Sequence, residues 1–129
     1  MSVTASSATT PRIAVVDDDG PFREALADLM VYAGFAVTQF DSAAAALRSD
    51  DLGVFEAFML DVQMPKMSGL ELLATLRSQG VLAPVIFVTS RCDEATRDLA
   101  QSAGALALFG KPFESEALIA LMRQTLKTA

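Results

Sequence analysis

Phe55-Glu56-Ala57-Phe58-Met59-Leu60-Asp61 is a short, almost wholly apolar run that ends in a carboxylate. Runs of this length, rich in aromatic and branched residues and flanked by turn formers, read as strands. Four more lie along the chain: Ile13–Val16, Phe35–Phe40, Pro84–Val88 and Leu106–Phe109. Most are apolar on successive residues rather than on alternate ones, which is expected of strands covered on both faces.

Segments of helical period separate the runs. Phe22, Leu26, Leu29, Met30 and Ala33 recur at helical spacing, and Gly34 supplies the stop. Asp41-Ser42 can cap a short Ala-rich helix ending near Arg48. Ser68 with Glu71 forms a capping-box pattern that opens a helix through Leu76, stopped by Gly80. A fourth helix is predicted from Asp93 to Ala103, closed by Gly104, and a fifth from Glu114 to about Lys127 with Leu118, Leu121, Met122 and Leu126 inward. Five strands alternating with five helices imply one doubly wound α/β domain over residues 12–129, a parallel sheet with helices on both faces. Met1–Pro11, rich in Ser, Thr and Ala with neither a basic start nor an apolar core, reads as a disordered leader.

Composition narrows the chemistry. The chain has 129 residues, enough for one sizeable core, and is 52% hydrophobic. Mean hydropathy is +0.38, yet charged or amide residues interrupt every apolar run well short of the roughly 18 to 20 residues a membrane span needs. A net charge of −6 repels nucleic acid phosphates, so direct nucleic acid binding is not expected. The single cysteine, Cys92, excludes an internal disulfide and fits a reducing, cytoplasmic compartment. There is no histidine, which removes Ser-His-Asp and Cys-His nucleophile systems and the commonest transition-metal ligand. Carboxylates, hydroxyls, lysine and a hard cation remain.

In a parallel sheet the strands end at one edge, where ligands bind at the point of strand-order reversal. Four of the five runs end there in polar residues: Asp17-Asp18-Asp19, Asp61, Thr89-Ser90, and Lys111 after Gly110. Taken singly, each has an ordinary structural explanation. The acidic triplet suits a helix N-cap, Asp61 a turn, Thr89 and Ser90 a turn or cap, and Lys111 a solvated charge. Taken together they describe a metal-phosphate site. Crowded carboxylates without His or Cys favour Mg²⁺, with Mn²⁺ or Ca²⁺ as alternatives. A carboxylate can attack phosphorus to form an aspartyl phosphate, while lysine, metal and threonine hydroxyl neutralise the phosphoryl oxygens.

Val15-Val16-Asp17-Asp18, Leu60-Asp61-Val62-Gln63-Met64-Pro65 through Ser68-Gly69, Val88-Thr89-Ser90 and Lys111-Pro112-Phe113 resemble, in order and spacing, the receiver domains of response regulators in bacterial two-component signal transduction. The resemblance covers about residues 12 to 127. It implies a flavodoxin-like sheet of order 2-1-3-4-5 and a phosphoacceptor at Asp61. It also implies a metal held by Asp17, Asp18, Asp61 and the Gln63 carbonyl, with Asp18 the direct ligand and Asp17 acting partly through water. Thr89, with Ser90, and Lys111 become the phosphoryl-binding and switch residues, and the Lys111-Pro112 bond is expected to be cis. Asp19 is left to cap the first helix. The implied donor is a sensor histidine kinase or histidine phosphotransfer protein, which supplies the missing histidine. Self-phosphorylation and autodephosphorylation are the only catalysis implied, with Gln63 and Arg91 at the positions that tune hydrolysis.

The surface of helix 4, strand 5 and helix 5 would respond to phosphorylation, through homodimerisation or a C-terminal output domain of a longer chain. Relatives carry an aromatic three residues before the lysine, where this chain has Leu108 with Phe109 beside it. Leu108 is therefore the candidate conformational switch, by a smaller apolar movement or with an output surface that works differently. Three rivals remain on the sequence. A flavodoxin-like electron carrier would need a Ser/Thr/Gly-rich phosphate loop where this chain has three aspartates. A phosphohydrolase would carry a second acid where Gln63 stands. A degenerate receiver, acting as a phosphorylation-independent interaction module, would not need Asp17, Asp18, Asp61, Thr89 and Lys111 intact.

Overall fold

The computed structural model describes residues 10–126. Five strands, β1 (Arg12–Val16), β2 (Ala36–Phe40), β3 (Ala57–Leu60), β4 (Val85–Thr89) and β5 (Ala107–Gly110), form one sheet of order β2-β1-β3-β4-β5. Every pairing is parallel. The helices among the described residues are α1 (Gly20–Tyr32), α2 (Ala43–Leu47), α3 (Gly69–Ser78), α4 (Glu94–Ser102) and α5 (Ser115–Leu126). This is the doubly wound architecture that the alternating pattern predicts, in the strand order that the resemblance implied.

Side-chain alternation along the central strands splits the core in two. Ile13, Val15, Met59, Ile86 and Val88 point to the face covered by α1 and α5, where they meet Leu26, Met30, Leu118 and Met122. Ala14, Val16, Phe58, Leu60 and Phe87 point to the other face, against Ala46, Leu72, Leu73, Leu76 and Ala100 of α2, α3 and α4. Both faces being covered explains the unbroken apolar runs of β1, β3 and β4. The edge strands differ: β2 is partly exposed along its length and β5 is half-buried throughout. Their outer flank has no neighbouring strand, so continuous burial was never available to them.

Local signals set the helix ends. Asp19 caps α1 by accepting the Phe22 N–H at 3.1 Å, with Pro21 in the first turn. Gly34 ends α1 at φ 108°, a conformation that favours glycine. Ser68 and Glu71 form the full reciprocal capping box on α3. Asp93 caps α4 by accepting the Thr96 N–H at 2.9 Å.

One feature departs from the sequence reading. Residues 52–54 form a 3-10 turn before β3, where periodicity over so few residues carries no signal. The leader expected over residues 1–11 falls mostly outside the described residues. Pro11, its last member, is buried, and its carbonyl accepts the Ala36 N–H at 2.9 Å, because that bond extends the β1–β2 pairing by one residue. The expected end of the last helix near Lys127 likewise falls outside the described residues.

Candidate functional site

Register brings the polar strand ends together. Val16 pairs with Leu60, so Asp17 and Asp61 follow side by side, and the Asp61 N–H donates to the Val16 carbonyl at 3.1 Å. Thr89 pairs with Gly110, and the Lys111 N–H donates back to the Thr89 carbonyl at 2.8 Å. Each functional side chain therefore sits where its strand stops, on the rim between strand and following loop.

Asp17 (2% exposed) and Asp61 (8%) are buried, and the Lys111 ammonium bridges them. Its Nζ lies 3.0 Å from Asp17 Oδ2 and 3.3 Å from Asp61 Oδ2. The other oxygens are held by backbone: Asp17 Oδ1 accepts the Asp19 N–H at 2.9 Å, and Asp61 Oδ1 accepts the Gln63 N–H at 3.2 Å. Asp18 stands exposed at the rim. One oxygen from each of Asp17, Asp18 and Asp61 lies within 4.8 Å of the others, close enough for a shared cation. Three carboxylates without nitrogen or sulfur donors fit a hard ion such as Mg²⁺.

The electrostatics follow from this crowding. Burial pushes the Asp17 carboxyl above the ordinary aspartate range and the charge of Asp61 adds to the rise; the Asp19 N–H and Lys111 only partly oppose it. Burial also works against the Lys111 charge, but its hydrogen bond to Asp17 and the charges of Asp61 and Asp17 outweigh that. Its pKa rises above the ordinary lysine value. The site thus holds a firmly charged lysine between two carboxylates, with Asp17 ionised at a cost.

The remaining predicted residues lie around this centre. Thr89 is fully buried, its Oγ1 accepting the Arg91 N–H at 3.2 Å. Ser90 and the Gln63 side chain are exposed. The Lys111-Pro112 bond is cis, as the resemblance implied. Leu108 packs against the α2, α3, α4 side of the core, while Phe109 packs on the α1, α5 side.

Three supporting residues were not foreseen. The Arg23 guanidinium donates to the Asp17 carbonyl at 2.9 Å and to Gln39 at 3.1 Å, tying the β1–α1 loop to β2. The Phe22 ring lies under the Lys111 ammonium, 4.0 Å from Nζ to its centroid. Gly69, at the start of α3, sits so close to the Asp61 carbonyl that a Cβ would overlap its oxygen. Its N–H donates to the Val62 carbonyl at 2.8 Å, which draws α3 onto the loop after Asp61. Of these, only the Ser68-Gly69 pattern left a trace in the sequence.

A five-stranded doubly wound domain with an acidic cluster, a buried threonine and a lysine converging at its carboxyl edge is the form of a receiver. Residues 13–123 match the family described as Response regulator receiver domain, and the chain belongs to it. The transcriptional regulatory protein FixJ of Azorhizobium caulinodans is 43% identical over 115 residues, 87% of this chain and 53% of that protein. The response regulator protein TodT of Pseudomonas putida is 37% identical over 117 residues, covering 91% of this chain and 52% of the relative. The crystal structure of FixJ-N matches with a TM-score of 0.80 at 32% identity, over 92% of this chain and 95% of that one. The chain spans about half the length of the curated relatives it matches. Receivers are signalling domains, and no helix among the described residues is long and apolar enough to cross a membrane.

Proposed function

We propose that Asp61 accepts a phosphoryl group from a phosphohistidine donor, a sensor histidine kinase or a histidine phosphotransfer protein. The observation that carries this reading is the Lys111 ammonium spanning Asp17 and Asp61 beside the third carboxylate of Asp18. An Asp61 oxygen attacks phosphorus, the P–N bond breaks, and the imidazole nitrogen leaves with the electron pair. Lys111 then transfers one of its hydrogen bonds to the new phosphoryl oxygens, and the hydroxyls of Thr89 and Ser90 donate to others. Mg²⁺, or Mn²⁺ in its place, when held by Asp17, Asp18, Asp61 and the Gln63 carbonyl, neutralises charge on the transferring group. Autodephosphorylation reverses the state: water attacks phosphorus, phosphate departs and the carboxylate returns. Gln63 and Arg91, both exposed beside the site, control that water's approach.

Phosphorylation favours the conformer in which Thr89 and Lys111 close on the phosphoryl group, and it biases the α4-β5-α5 surface. Leu108, paired with Phe87 of β4, lines a groove of about 550 Å³ between α4 and β5 with Leu106, Arg97 and Glu94. Leu106 (47% exposed) leaves apolar area on this side for a second copy or an output domain. We assign the domain, residues 12–129, to the cytoplasm, with no direct contact to nucleic acid.

The test is to incubate the protein with Mg²⁺ and acetyl phosphate and to measure intact mass. Gain of one phosphoryl group, abolished by EDTA and by Asp61→Asn, supports the reading. A wild type that gains nothing, or a variant that gains as much, contradicts it.

A further inference from the structure

Lys111 has a third partner besides its two carboxylates. Its Nζ lies 4.0 Å above the centroid of the Phe22 ring, within the range of a cation–π contact. That ring is braced in turn by Phe113, edge to face, with centroids 6.1 Å apart and planes at 87°. Phe22 belongs to the first turn of α1, and its N–H is the one that Asp19 caps. The ring is therefore anchored by the same loop that carries Asp17 and Asp18, while Phe113 follows Lys111 by two residues on the opposite segment. One aromatic pair fastens the lysine loop to the acidic loop.

A lysine has a flexible four-carbon stem and a compact, strongly hydrated head, and this one keeps 15% of its side chain exposed. Carboxylates alone are poor anchors for a group that must later serve a phosphoryl oxygen. One of them, Asp61, changes chemical form during the reaction. A further carboxylate would compete for the ammonium and for the cation. An aromatic face attracts the ammonium without net charge, so it holds the head while leaving its hydrogen bonds free to change partner.

We propose that Phe22 is a positioning residue for phosphoryl transfer, its ring face holding the Lys111 ammonium over the site as it passes from carboxylate to phosphoryl oxygen. This rests on the reading of Asp61 as phosphoacceptor and of Lys111 as its phosphoryl ligand. Phe22 touches no reacting atom in this account and acts through Lys111.

The test separates ring electrostatics from ring size. Mono-, di- and trifluorophenylalanine are placed at position 22 of the full chain, which weakens the negative face stepwise while nearly preserving shape. Rates of labelling by acetyl phosphate with Mg²⁺ are measured over donor concentration, with thermal melting alongside. The expected result is a stepwise loss of kcat/KM reaching about fivefold at unchanged melting temperature, with Phe22→Tyr near wild type. Nuclear magnetic resonance adds a readout independent of phosphorylation: the Lys111 methylene protons are shifted upfield by the ring, and Phe22→Leu abolishes the shift. A labelled wild type with a flat fluorine series overturns this proposal alone. A wild type that takes no phosphoryl group overturns the Asp61 reading and this proposal with it.

Discussion

Asp17 shows what the site costs the fold. Its carboxyl is buried and its pKa is raised, by burial first and by the Asp61 charge as well. A raised folded-state pKa means that the contribution to stability is full below the ordinary aspartate value and is lost as pH rises through the folded value. At pH 7 the ionised group is therefore a liability in the metal-free protein. Asp17→Asn should raise stability in EDTA at pH 7, and the gain should shrink as pH falls toward the ordinary aspartate value. Chemical denaturation at several pH values in EDTA checks this; a variant less stable than wild type at pH 7 contradicts it. Lys111 differs at neutral pH: its contribution is whole there, fades above the ordinary lysine value and is lost as pH rises through the folded value. Gly69 has a steric task. A side chain there would displace either the Asp61 backbone or α3, and Phe87 Cε1, 3.0 Å from where the Cβ would fall, blocks the other way out. Gly69→Ala should cost about 1–3 kcal/mol and slow labelling of Asp61, read by denaturation and by mass. Asp17, Asp18, Asp61, Thr89 and Lys111 were legible because each ends an apolar run, and parallel strands end together. Phe22 and Arg23 were not, because Phe22 meets a lysine far along the chain and Arg23 acts on a backbone carbonyl. No local pattern marks either.

Beside α1 and α3, α4 is held weakly. It buries only Thr96 and Ala100, whereas α3 buries Leu72, Leu73 and Leu76 and α1 buries Leu26, Ala27 and Met30. With little apolar area at stake, local opening costs less than global unfolding. Native-state hydrogen exchange should therefore find α4 amides exchanging before those of α1 and α3, and phosphorylation should slow them. Equal protection across the helices would remove the physical basis for a mobile α4. The capping box on α3 gives a second element-scale prediction. Ser68→Ala leaves the Glu71 N–H without its acceptor and should destabilise the fold by about 1 kcal/mol, measured by thermal or urea unfolding. Element type followed from period and from cap residues, so α1, α3 and α4 were readable nearly to the residue. Strand order was not: hydrophobic runs say that strands are buried, never which neighbours they take. That order came with the resemblance, and the exposure of β2 and β5 follows from their edge positions.

For the whole molecule, the two-sided core and the carboxyl-edge site are one design. Helices on both faces force continuous apolar strands, and the polar residues excluded from those strands collect where they end. A site made mainly of negative charge strains the metal-free domain, so a bound cation should stabilise it by mass action. The melting temperature should rise with Mg²⁺ concentration and fall back with EDTA. The chain belongs to the receiver family, and the chemistry proposed for it turns on the fate of Asp61. The most direct measurement is to label the protein with acetyl phosphate and Mg²⁺, reduce the acyl phosphate with borohydride, and map the modified residue by peptide mass spectrometry. Phosphorylation of Asp61 gives homoserine at position 61 and at no other aspartate. Homoserine at Asp17 or Asp18, or an unmodified Asp61 in a labelled protein, would contradict it.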